Sequence, residues 1–152
     1  MQALRNDRIS LAFAEIDAAH QLIGSMFERI HHAAALKAEA KSVGDMISEL
    51  IDLFVREVDC EETAMILNHY PNYKEHQREH NGLLECLDDI VLDLEVNGAA
   101  NIEMKIRLMW YAKYMHVVMY DRPLCEFLNS RGGALPAVPG LTGGLSEKHT
   151  VA

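Results

Sequence analysis

Through its first seventy residues the chain contains no proline, and its apolar side chains recur there at spacings of three and four. That is the period of a helix with one buried face, and it fits long amphipathic helices better than alternating strands. The expected class is all-α. A first helix, from about Ser10 to Leu36, aligns Ile16, His20, Ile23, Phe27 and Ile30 on one stripe. A second, from about Ser42 to Asn68 with Pro71 beyond it, aligns Ile47, Leu50, Phe54, Glu57, Glu61 and Met65. The third, from about Asn72 to Glu95, aligns His76, His80, Leu83, Leu87, Ile90 and Leu94 ahead of an Asn97-Gly98 stop. The fourth, from about Asn101 to Asn129, turns Ile106, Met109, His116, Met119 and Tyr120 inward, with Asp121 nearby. Short connections favour antiparallel neighbours, so the expected architecture is an up-down-up-down four-helix bundle over residues 1–129. Residues 130–152 are rich in Gly, Pro and Thr and are expected to form a flexible tail.

Charge narrows the range of partners. The chain has 14 basic and 23 acidic residues, a formal charge of -9, and no basic cluster able to displace counterions from a phosphate backbone. Nucleic acid is not an expected partner. Cys60, Cys86 and Cys125 are odd in number and contain no CxxC pair, which fits reduced thiols and a cytoplasmic location. The polar start of the chain resembles neither a signal peptide nor a membrane span, so no membrane association is expected.

The stripes carry polar residues where apolar ones belong. Side chains four apart on a helix differ by only about 40° in direction, so Glu57 with Glu61, and His76 with His80, each project two donors from one face. Carboxylates buried without partners cost several kcal/mol each. Few bases stand on the same stripes to offset that cost, Lys113 near His116 being the exception, which leaves a bound cation as the better partner. His116 and Asp121 are five apart, about 140° in a regular α-helix, too wide for a common focus. Pro123 cannot donate to the carbonyl of Met119, so a bend or opened turn there is expected to bring Asp121 inward.

The order of these donors resembles the hemerythrin family, whose pattern is an isolated His, then HxxxE, HxxxH and HxxxxD on four successive helices. Asp17-Ala-Ala-His20 is similar to the first ligand segment, and Glu61-Glu62-Thr-Ala-Met65 followed by Tyr70-Pro71 to the second. His76-Gln-Arg-Glu-His80, and His116 with Asp121, complete the set. The departure is Glu57, which stands where the family has histidine. The resemblance implies a bacteriohemerythrin-like protein with two iron ions, Fe2+ or Fe3+, joined by an oxo or hydroxo bridge. It further implies Glu61 and Asp121 as bridging ligands, His76, His80 and His116 on one iron, and His20 with the residue at 57 on the iron that keeps a position open for O2.

Glu57 changes the implied set to four nitrogens and three carboxylates. An extra anionic donor favours ferric iron and lowers the reduction potential. Binding through both oxygens would close the open position. The implied function is O2 carriage, storage or sensing, and the alternative is a di-iron oxidase or peroxidase, or an enzyme reducing nitric oxide or peroxide. Carboxylate-rich ferritin-like enzymes use paired Glu-x-x-His motifs, whereas this chain has only Glu28 to His31. Several residues have plainer readings. His31, His32 and His69 lie near helix ends and are read as solvated or capping residues, and Cys60 as packing. Met65, Met109, Met115 and Met119 are read as core filler, with an O2-pocket lining as the alternative, and Tyr111, Tyr114 and Tyr120 stay open as sources of a hydrogen bond.

Overall fold

A computed structural model describes residues 14–99 and 101–132. Among the described residues the chain is all-helical, with no strand. Helix α1 spans Ala14–Ala35, α2 Ala40–Leu67 and α3 Tyr73–Asn97. The fourth helical run begins as α4, Ile102–His116, passes through a π-helical turn at Val117–Asp121 and continues as α5, Arg122–Arg131. The start expected at Ser10 and the segment 133–152 lie outside the described residues. Ser130 and Arg131, expected in the tail, extend the last helix.

The ends of the first three helices are set mainly by backbone geometry, with the Asn68 side-chain amide also donating to the Ala64 carbonyl at 2.8 Å. At the end of α1, Lys37 takes a left-handed φ of 55°, and the amides of Lys37 and Ala38 bond to the carbonyls of Ala34 and Ala33. The same Schellman arrangement closes α2, with His69 at a φ of 52° and the amides of His69 and Tyr70 bonded to Ile66 and Met65. Helix α2 thus stops ahead of Pro71. Gly98, at a φ of 65°, receives α3 in the conformation glycine adopts without steric cost.

Helix α1 packs against α2 and α4, α2 against α3, and α3 against α4. The buried stripes on the first three helices are those expected: Ile16, Ile23, Phe27 and Ile30; Ile47, Leu50, Phe54 and Met65; and Leu83, Leu87, Ile90 and Leu94. Full burial of each such aliphatic or aromatic side chain contributes about 1.5–3 kcal/mol. Gly24 allows α1 to approach α4 closely, since a Cβ there would meet the indole of Trp110 at 3.1 Å. Phe27 packs on the same indole with ring centroids 5.2 Å apart.

The apolar interior is divided. The larger cluster, running from Ile23 and Phe54 to Val43, Leu94 and Ile102, is separate from a smaller one made by Ala64, Met65, Tyr70, Leu124 and Leu128. Between their positions in the sequence fall Glu57 and Glu61 on α2, His76 and His80 on α3, and His116 and Asp121 on the last helical run. These polar side chains are as buried as the clusters on either side.

The π-turn corrects one part of the expected inward face. Met119 is 59% exposed and Tyr120 only half-buried, while Val117 and Asp121 are buried. In a π-helix residues five apart, rather than four, stand one turn apart, so the buried face shifts phase across the turn. The amide of Arg122 donates to the carbonyl of Val117, an i to i+5 bond. Pro123, lacking an amide hydrogen, stands at the start of α5 and cannot supply the i to i+4 bond to the Met119 carbonyl that a regular α-helix would make.

Candidate metal centre

All seven donors singled out in the sequence come together. Helix α1 contributes His20, α2 Glu57 and Glu61, α3 His76 and His80, α4 His116, and the π-turn Asp121. Glu57 is 2% exposed and Asp121 fully buried, while the His20 side chain retains 13% exposure. The opened turn expected before Pro123 is the feature that puts His116 and Asp121 on one face, with His116 Nε2 2.9 Å from Asp121 Oδ1.

Two adjoining groups share members. In the first, one donor atom from each of Glu61, His76, His80, His116 and Asp121 lies within 4.8 Å of every other. His76 Nε2 is 3.2 Å from His116 Nε2, 3.1 Å from Asp121 Oδ1 and 3.4 Å from Glu61 Oε2, and His80 Nε2 is 3.2 Å from the same Glu61 oxygen. The second group is His20, Glu57 and Glu61. There His20 Nε2 lies 2.8 Å from Glu57 Oε1 and 3.2 Å from Asp121 Oδ2. Glu61 belongs to both groups, and Asp121 turns one oxygen toward each.

The contacts within the second group are close without being well-formed hydrogen bonds. His20 Nδ1 and Glu61 Oε1 are buried without a hydrogen-bond partner, and His20 Nε2 and both oxygens of Glu57 have ion-pair contacts in place of hydrogen bonds. Buried polar atoms are rarely left so, because each forfeits its hydration. Imidazole nitrogens and carboxylate oxygens are also the donors that transition-metal ions take. The buried cluster therefore has the composition and convergence to hold a metal ion.

Charge in the cluster is balanced within the chain. Burial opposes the charged form of His20, but the Glu57 charge, with Asp121, raises its pKa to about 9. Burial likewise opposes protonation of His76, and Asp121 and Glu61 lift it to about 9. His116 lies below its ordinary value because burial prevails over the attraction of Asp121. Glu61 is held down at about 2, against both burial and repulsion from Asp121, by His76 and His80. Burial would raise Asp121 too, yet Lys113 and His116 keep it well below the usual carboxylate range.

Lys113, the one base expected near the donor stripes, lies directly against the extra carboxylate. Its side chain is 2% exposed and its Nζ is 2.9 Å from Glu57 Oε2 and 3.4 Å from Asp121 Oδ2. Burial works against the ammonium, but Asp121, Glu57 and Glu61 hold its pKa above the ordinary lysine value. The charge that Glu57 adds is thus met by a base packed directly against it.

Around the donors stand residues that orient them. His80 Nδ1 is 3.1 Å from Glu62 Oε1, and the Gln77 amide donates to Glu62 Oε2 at 2.8 Å and to the Tyr73 hydroxyl at 2.7 Å. A carboxylate on one imidazole nitrogen fixes the ring and leaves the other nitrogen as donor. Among the three tyrosines, Tyr120 meets the site, stacking on His116 at 5.3 Å, while Tyr111 is exposed. Met65 and Met109 are buried, and Met115 and Met119 face outward. His31 pairs with Glu103 at 3.3 Å and His69 sits at the α2 terminus, both apart from the cluster. Cys60 is buried. So is Cys125, which the sequence reading did not single out: its thiol is pushed up by burial and by the charges of Glu61 and Asp121. Among the described residues, no helix is long and apolar enough to cross a membrane. Comparison with known proteins finds no matching family model, curated protein or solved structure.

Proposed function

We propose that this chain is a hemerythrin-like, non-haem di-iron protein that binds O2 as a carrier, store or sensor. The observation that carries the reading is the pair of adjoining buried donor groups, with Glu61 common to both and one Asp121 oxygen directed to each. In this reading His76, His80 and His116 would hold one iron and His20 with Glu57 the other, with Glu61 and Asp121 shared. The reading takes the helices as an antiparallel up-down-up-down bundle. Supporting that arrangement, residue numbers rise on one helix as they fall on its neighbour, in the pairs Gly24 with Trp110 and His31 with Glu103, and Gly44 with Leu94 and Glu62 with Gln77.

When bound, ferrous iron supplies the electrons that O2 accepts. The chain's own part is to orient and exclude. Glu62 holds the His80 ring with Nε2 inward, Tyr120 covers the face of His116, and the apolar clusters on either side keep the dielectric low. Glu57 brings a third carboxylate, the feature that supports an alternative enzymatic reading as a di-iron oxidase or peroxidase, or a nitric oxide or peroxide reductase. Lys113 supports the carrier reading over it, because a buried ammonium on Glu57 offsets the charge that would favour ferric iron.

Adding O2 to the reduced, iron-loaded protein and then removing it tests this function by optical spectroscopy. A charge-transfer band that appears and disappears is the expected outcome. Continued O2 consumption without a stable oxygenated form would favour the enzyme, and an unchanged spectrum would refute both.

A further inference from the structure

We propose that Lys113 is a positioning residue that restricts Glu57 to donation through a single oxygen and thereby keeps a coordination position free for a small ligand on the His20 side. The inference rests on the di-iron reading and deepens it. The two oxygens of Glu57 face different partners: Oε1 lies 2.8 Å from His20 Nε2, among the donors, and Oε2 lies 2.9 Å from Lys113 Nζ. A carboxylate that chelates one ion must turn both oxygens to it. Here that rotation would withdraw Oε2 from a buried ammonium and leave it only the longer contact to Asp121 Oδ2 at 3.4 Å, and weakening the pairing of a buried charge is unfavourable.

Lys113 is itself held from several sides. Its Nζ is 3.4 Å from Asp121 Oδ2 and 5.0 Å from the centre of the Phe54 ring, and the side chain has almost no contact with solvent. It lies three residues before His116 on α4, so the same helical face delivers a ligand and the base that restrains another ligand. A lysine placed for charge balance alone need not contact the oxygen that points away from His20. This one does, and its second contact is to the Asp121 oxygen that also faces His20.

The test compares iron-loaded wild type, Lys113→Met, Glu57→His and the double variant, with azide as the probe. Iron per chain, azide affinity by optical titration, and the infrared carboxylate stretches lost on Glu57→His are the readouts. Wild type should show the wide stretch separation of one-oxygen binding. In Lys113→Met the separation should narrow and azide affinity should fall by about tenfold or more, while the same substitution in the Glu57→His background should leave azide affinity unchanged. Equal losses in both backgrounds would overturn the proposal, since Lys113 would then act on azide directly, as would an unaltered separation in Lys113→Met. Should Lys113→Met fail to fold, Lys113→Gln keeps a neutral donor there: a smaller loss in the same direction supports the proposal, and wild-type values overturn it. Failure of the di-iron reading is separately visible as wild type that takes up no iron, which would remove this inference with it.

Discussion

Lys113 and Glu62 are the two side chains whose removal separates packing from metal binding most cleanly. Without Lys113 the buried carboxylates of Glu57 and Asp121 face each other with no ammonium between them. Breaking a buried ion pair by deleting one partner costs about 3–5 kcal/mol. Metal-free Lys113→Met is therefore expected to unfold at lower urea concentration with an unchanged slope, and an unchanged midpoint would show the pair to be energetically idle. Glu62 touches the cluster only through His80 Nδ1. Glu62→Ala should leave the fold intact and weaken metal binding by about 10–100-fold in a chelator competition. Six of the seven donors were legible in the sequence because a polar residue on an apolar stripe declares its direction. Asp121, off its stripe, was legible through its five-residue spacing from His116 in the resemblance to hemerythrins. Lys113 was visible on its helix but not its role, since lysine ordinarily carries its charge out to water and only the placement of α2 and α4 across the core, each packed on α1 and α3, sets its distance to Glu57. Glu62 carried no periodic signal, being adjacent to Glu61 and directed at α3 rather than into the centre.

At the scale of the element, the π-turn determines whether Asp121 belongs to the site. A regular α-helix would separate His116 and Asp121 by about 140°, whereas the observed turn brings His116 Nε2 to 2.9 Å from Asp121 Oδ1. The need for a distortion could be read from the spacing and from Pro123, but its form could not. Met119 and Tyr120 were accordingly expected to face inward, because a regular period was carried through a segment whose period changes. Pro123→Ala restores an amide that can bond to the Met119 carbonyl and so favours regular winding. Metal affinity is expected to fall by about tenfold or more while helical circular dichroism is retained. Unchanged affinity would mean that the contacts of Asp121, not the proline, hold the turn open.

Across the whole molecule, the donor layer separates apolar clusters of unequal size. The larger one draws on α1, α2, α3 and α4, and the smaller on the end of α2, Tyr70 and α5. Loss of metal should therefore loosen the molecule unevenly. After chelation, amides of Ala64–Tyr70 and Leu124–Leu128 are expected to exchange with solvent well before those of Ile47–Phe54, as sparse local packing predicts. Uniform acceleration would instead indicate that the folded state depends on metal throughout. Helix number and the main buried stripes followed from periodicity, while the division of the core did not, because it depends on how the stripes meet. The most direct test of the central claim is iron bound per chain after anaerobic loading and desalting of the wild-type protein. Two irons per chain is the predicted result; none or one would contradict a centre built from two adjoining donor groups.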